Sequence, residues 1–204
     1  IILAGLIGGG VGLGYSFIKK PVYTATTTFV LESSERGSGS LAAYAGIASM
    51  MGIDLGGDGG GIFKGDNIME LYKSRTMIEK TLFSPVDSIT KQPLIERYIE
   101  FNKMRKSWEE KEGLKRLKFT LNDLNLRNVD VKRQRLKDSV IGKIVENINK
   151  GSLSVAKLDK KLSIIQVDVK SANEIFAKRF NEELVKHVND FYVQTKTKKL
   201  LDNV

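Results

Sequence analysis

At 204 residues, with a formal net charge of +9 and no cysteine, the chain has room for one domain of ordinary size, or such a domain plus a membrane anchor, and not for two full-sized domains. The absence of thiols excludes disulfides, zinc-thiolate sites and cysteine nucleophiles, and fits an oxidising compartment. A single histidine, His187, excludes any scheme that needs two imidazoles from this chain.

Charge is unevenly placed. Residues 1–18 carry none, so all 33 Lys and Arg and all 24 Asp and Glu fall in the rest. Residues 91–137 hold 14 cations against 7 anions, an electropositive centre suited to nucleic acid, an anionic membrane face or an acidic polymer.

The first element, IILAGLIGGGVGLGYSFI over residues 1–18, spans about 27 Å as a helix, just short of a ~30 Å hydrocarbon core. It is expected to be a transmembrane helix, truncated at its upstream end. Its glycines, Gly5, Gly8, Gly9, Gly10, Gly12 and Gly14, each cost roughly 1 kcal/mol relative to Ala in a water-exposed helix. Spaced four apart in pairs, they give a face on which a second helix packs closely in lipid. A cleaved export signal and a buried soluble helix are the alternatives. The first lacks a small-x-small site before Lys19, and the second does not suit so many glycines. Lys19 and Lys20 do not fix orientation without the opposite flank.

Residues 21–31 alternate Val22, Thr24, Thr26 and Thr28 with Tyr23, Ala25, Thr27, Phe29 and Leu31, the pattern of a strand. Residues 33–65 are Gly/Ser-rich and predict a flexible loop, with a short apolar helix inside it at 41–53. Within this stretch, residues 56–65 lack the Ser or Thr that a phosphate loop needs after Lys64.

A helix is predicted from Asp66 or Asn67 to about Phe83, with Arg75 and Glu79 as a surface pair. Pro85 ends it. Another starts near Pro93, turning Leu94, Tyr98, Phe101, Met104 and Trp108 inward and Arg97, Lys103, Arg105 and Lys106 outward. The aromatics among these cations read as core positions and not as a nucleic-acid stacking platform. Residues 114–126 fit strand and helix equally. From about Asp130 a helix carries Leu136, Val140, Ile141, Ile144, Val145 and Ile148 on one side, with Gly151 as its stop. Strands at 153–157 and 162–169 are joined by a tight antiparallel connection. Ser171 and Glu174 offer a capping box for a helix reaching Val204, roughly 50 Å long. Its apolar residues Ile175, Phe176, Phe180, Leu184, Val188, Phe191 and Tyr192 predict docking at its start and departure from the domain at its end. No set of His, Cys or carboxylates accompanies His187, which reads as packed or solvated and not as a ligand.

The apolar span, the strand with Pro21, Tyr23 and Ala25, the helix reading NIMELYKSRTMIEK at 67–80, and a late Ile-x-Val-Asp-Val strand at 165–169 feeding a long helix together resemble the polysaccharide chain-length determinants, the Wzz-like polysaccharide co-polymerases. The basic centre, 91–137, departs from the family pattern. The resemblance implies an α+β fold: a small, mostly antiparallel sheet, packed helices and a long C-terminal helix. The parts are a truncated transmembrane helix at 1–18, a periplasmic domain at 19–171, and a helix at 172–204 leading toward a second span not in the sequence. It implies a bacterial inner-membrane protein assembled as a homo-oligomeric ring, with a membrane polysaccharide polymerase, the glycan chain and membrane lipid as partners and no nucleic acid. Related family members regulate, or are fused to, a tyrosine kinase; no Walker-type sequence is present in these residues.

The expected function is non-enzymatic control of O-antigen, capsule or exopolysaccharide length. No catalytic residue, cofactor or metal is expected. Lys103, Arg105 and Lys106 are the candidate contacts to glycan or headgroups. The alternative is an extracytoplasmic sensor domain of a membrane receptor. A polysaccharide-cleaving enzyme would need two carboxylates across a cleft, and the acidic residues fall mainly on predicted solvated faces.

Overall fold

Strand β1, Tyr23–Val30, forms where Thr and aromatic residues alternate, and it pairs with the last strand of the sheet and not with a neighbour in sequence. The computed structural model describes residues 8–10, 14, 21–30, 67–124, 130–159 and 164–202, with side chains as far as Thr195. The fold is α+β. Strands β2, Leu153–Lys157, and β3, Ile164–Ser171, complete an antiparallel sheet of order β1-β3-β2. Register runs from Tyr23 opposite Ser171 to Val30 opposite Ile164, and from Leu153 opposite Val169 to Lys157 opposite Ile165. The last strand lies two residues later than 162–169.

The sheet buries one face, as antiparallel sheets commonly do. Ile165, Val167, Val169, Leu153 and Val155 point inward, with Ala25 and Phe29 packed beside them. On the other face Thr26 donates to Asp168 Oδ1 at 2.7 Å.

Helix α7, Glu174–Asp202, covers the inner face through Phe176, Ala177, Phe180, Leu184 and Val188, all buried. Burying each of the larger side chains stabilises the fold by about 1.5–3 kcal/mol. Asn181 reaches from this helix to both strands, donating from Nδ2 to Ala25 O at 3.1 Å and Val167 O at 2.9 Å. Thr27 Oγ1 donates to its Oδ1. The helix leaves the Tyr23/Ser171 end of the sheet and passes over Ala25 and Val167. Its 29 residues measure about 43 Å. It therefore heads away from the end at which residue 21 enters. Its cap also differs. Ser171 is still in β3, so Asn173 takes the cap, its Oδ1 accepting from Phe176 N at 2.9 Å, while Ser171 Oγ accepts from Asn173 N at 3.1 Å.

The remaining helices pack around this seam. The segment expected as one helix is two, α1, Asn67–Lys73, and α2, Arg75–Leu82. Ser74 is extended and caps the second by accepting from Met77 N at 3.3 Å, and Asn149 Nδ2 donates to the freed Lys73 carbonyl. Arg75 and Glu79 pair at 3.2 Å. Helix α3, Leu94–Phe101, starts after Pro93 and stops at Asn102, and the left-handed Lys103, φ 55, turns the chain into α4, Met104–Trp108.

The undecided stretch, as far as Leu124, is neither strand nor continuous helix. It holds one turn of helix, α5, Glu112–Lys115, an extended piece burying Leu117 and Phe119, and a 3-10 turn, Leu121–Leu124. Helix α6, Val131–Asn147, is capped by Asp130 and runs into a π turn, Ile148–Ser152, that contains Gly151. The glycine thus sits inside the turn and not at a left-handed stop.

Gly8, Gly9, Gly10 and Gly14 are helical and exposed. The rest of 1–18, including Gly5 and Gly12, and all of the loop 33–65 lie outside the described residues, as do the short helix at 41–53 and the glycines of 56–65. No described helix is long and apolar enough to cross a membrane.

One internal defect is testable. Tyr72 is fully buried against Phe29, at 5.6 Å between ring centres, and its hydroxyl has no hydrogen-bond partner among the described residues. Burial raises its pKa well above the ordinary phenol value. Removing an unpaired buried hydroxyl relieves a desolvation cost of about 1–3 kcal/mol, so Tyr72→Phe should raise unfolding stability by about 1 kcal/mol in urea titration. A loss of stability would show that the hydroxyl has a partner.

Candidate functional site

Chain-entry residues converge at one end of the sheet. Pro21 is exposed, Tyr23 is 38% exposed, and Ala25 packs against the core while its carbonyl is held by Asn181. A cavity of about 280 Å³ opens beside them, lined by Val22, Tyr98, Phe101, Asn102 and Lys170 among others. A Cβ built on Gly8, Gly9, Gly10 or Gly14 meets nothing within 4 Å, so among the described residues this face is open.

The basic centre divides by what its cations already hold. Arg105 is built into the fold: NH2 pairs with Glu96 Oε2, NH1 donates to Leu117 O at 3.0 Å, and the guanidinium lies 6.0 Å from the Trp108 ring centre. Glu96, 8% exposed, also accepts from Phe119 N at 2.6 Å. Lys137 is likewise consumed, buried against Asp123 at 2.6 Å with Phe119 5.6 Å away. Lys103 and Lys106 are exposed. Of the three candidate contacts, these two present their charge outward and Arg105 is a brace between α3 and the 117–119 segment.

His187 is packed. Its Nε2 lies 2.9 Å from Ser84 Oγ, joining α7 to the end of α2. Burial lowers its pKa below 6.5, with Lys80 and Lys186 adding to the fall and Glu183 and Asp190 opposing it. Among the described residues no group of three His, Cys, Asp or Glu is placed to hold a metal.

A second groove lies on the far flank of α7, where the expected arrangement is corrected at two residues. Ile175, expected inward, is 50% exposed because the buried stripe starts at Phe176. Arg97, expected outward, is half-buried. Both line a groove with Asp87, Lys178 and Glu182. Asp87 accepts from the Ile89 and Thr90 amides at 2.8 and 2.6 Å and from the Thr90 hydroxyl, bonds that, with the nearby Arg97 charge, lower its pKa.

No protein-family model, curated protein or solved structure matches this chain.

Sequence reading missed Glu96, Lys137 and Asn181 as buried polar braces. For Glu96 a signal was present, since it falls between Ile95 and the inward Tyr98 in a helix otherwise apolar on that side.

Two measurements follow from these contacts. Glu96 is buried while Arg105 is 38% exposed, so losing the cation leaves a buried carboxylate short of its charged partner, at about 1–3 kcal/mol. Arg105→Glu should therefore destabilise strongly, while Lys103→Glu and Lys106→Glu should stay within about 0.5 kcal/mol in denaturant titration. Equal effects would contradict the division. For His187, a folded pKa below the unfolded value means that the unfolded chain takes up the proton first as pH falls. Stability should thus drop below about pH 6.5 and level off under the folded pKa. The melting temperature of His187→Gln should fall less over that window, and parallel curves for the two proteins would refute the assignment.

Proposed function

We propose that the chain belongs to a Wzz-like, non-enzymatic regulator of surface polysaccharide length. It acts as an oligomeric scaffold in the bacterial inner membrane beside a membrane polymerase, with its α+β domain in the periplasm. The observation that carries this reading is the pairing of two motifs that lie at opposite ends of the sequence. Tyr23 and Ala25, just after the apolar segment, stand opposite Ser171 and Val169 of the strand that feeds the long helix. Motifs that are each weak alone thus occupy adjacent strands of one sheet. That sheet begins within a few residues of the apolar segment, which suits a domain held close to a membrane.

A base fixed at the membrane holds subunits in a common orientation and favours lateral, cyclic assembly. The open glycine face at Gly8, Gly9 and Gly10 suits close helix approach in lipid. Lys103 and Lys106 are the exposed cations of the proposed contact region for anionic glycan or headgroups. In this scheme the chain makes and breaks no covalent bond. The long helix also suits a sensor domain that transmits displacement; a signalling module elsewhere in the protein would favour that second reading.

The test is the size distribution of surface polysaccharide on a gel with and without the gene. Regulation predicts polymer still present with a changed ladder. Total loss of polymer, or an unchanged ladder, would count against it. Strictly monomeric full-length protein in a membrane mimic would remove the ring.

A further inference from the structure

We propose that the groove between the first turns of α3 and α7 binds an acidic sugar unit of a glycan. For the source of that glycan, the inference rests on the length-regulation reading. The groove has a volume of about 490 Å³, within the ~300–1,000 Å³ of small-ligand sites. Val86 and Asp87 form one wall, Arg97 the second, and Ile175, Lys178 and Glu182 the third.

Its charges differ in how far they are already used. Arg179, also on the lining, is engaged through each of its three nitrogens: Nε donates to Val86 O at 3.0 Å, NH1 to Glu182 at 3.0 Å and NH2 to Glu183 at 3.1 Å. It fixes the loop to the helix and gives the groove its shape. Arg97 is different. Its Nε is buried and has no hydrogen-bond partner among the described residues, and buried donors in folded proteins are nearly always paired. Lys178 is exposed on the same groove. Arg97 and Lys178 therefore bring positive charge to a groove that also holds Asp87, which lies near Arg97, and Glu182, which Arg179 already engages.

That mixture selects a ligand class. A purely anionic ligand meets Asp87 and Glu182, and a cationic one meets Arg97 and Lys178. A polyhydroxylated ring with one carboxylate satisfies all four: its carboxylate takes hydrogen bonds from Arg97 and Lys178, and its hydroxyls donate to the spare lone pairs of Asp87 and Glu182. The half-exposed Ile175 presents apolar surface to the C–H face of such a ring. Among the described residues no aromatic side chain lines the groove, so a nucleobase finds none of them to stack on.

The experiment is calorimetric titration of the full-length protein in detergent with three probes: a short oligomer of glucuronic acid, a neutral glucose oligomer of the same length, and inorganic phosphate. The glucuronate oligomer should bind, and the glucose oligomer should bind about tenfold more weakly or not at all. Arg97→Gln and Lys178→Glu should each weaken glucuronate binding about tenfold, while Lys143→Gln, at an exposed cation of α6 away from the groove lining, leaves it unchanged. Lys178 is on the surface, so that variant keeps the test open should Arg97→Gln fail to fold. Absence of glucuronate binding, binding untouched by Lys178→Glu, or phosphate binding as tightly as the sugar acid would each overturn the assignment. Because the readout is binding, it separates from the polymer ladder. No binding with a changed ladder in the deletion strain overturns the groove alone; binding with an unchanged ladder overturns length regulation alone.

Discussion

The arrangement depends on one buried amide. Asn181, 2% exposed, lies where α7 crosses β1 and β3 and uses three of its four hydrogen-bonding positions on them. A polar group taken out of water at such a site costs about 1–3 kcal/mol for each bond left unmade, so the helix has one low-energy position over the sheet. The apolar contacts of Phe176, Phe180 and Leu184 supply most of the burial but tolerate sliding. The amide does not, because its partners are fixed backbone carbonyls. Through it β1, the strand nearest the chain entry, is locked to the longest helix.

What could be read from sequence follows from the same physics. The strands and α6 were legible because their apolar period is regular: Ile165, Val167 and Val169 alternate, and Val140, Ile141, Ile144 and Val145 recur at helical spacing. The breaks at Ser74 and Lys103 were not. Both lie inside patterns that stay amphipathic on either side, and each is decided by a local hydrogen bond or a left-handed backbone that no hydrophobic period reveals. The stretch around Leu117 and Phe119 was ambiguous for a different reason. Its regularity is supplied from elsewhere, by Glu96 accepting the Phe119 amide. Sequence gave the antiparallel joining of β2 and β3 through their short connection, whereas the pairing of β1 with β3 spans more than a hundred residues and is a tertiary fact.

The same distinction governs the candidate sites. A run of positive charge can be counted, but its availability depends on partners distant in sequence. Arg105 and Lys137 look like their exposed neighbours in the sequence and are spent on Glu96 and Asp123. Arg97, in the same basic run, faces a groove completed by residues of α7 nearly eighty positions later. A helical wheel puts Ile175 beside the core stripe, and only the packed structure shows it turned toward that groove.

Direction sets the remaining constraint. Strand β1 runs from Tyr23 to Val30 and α7 follows it over the sheet, so about 32 Å of helix lies beyond Asn181. Only about 17 Å of β1 remains past Ala25. The helix therefore outruns the sheet by roughly 15 Å on the side away from the chain entry. Under the proposed reading, the membrane contact and the far end of α7 are held at opposite ends of one rigid seam, and the groove with Arg97 and Lys178 sits at the first turns of that helix, nearer the membrane. A glycan leaving a membrane polymerase would meet this groove before it reached the distal helix. Rigidity between those points then rests on the Asn181 lock and the aromatic contacts of Phe176 and Phe180, and not on the basic surface.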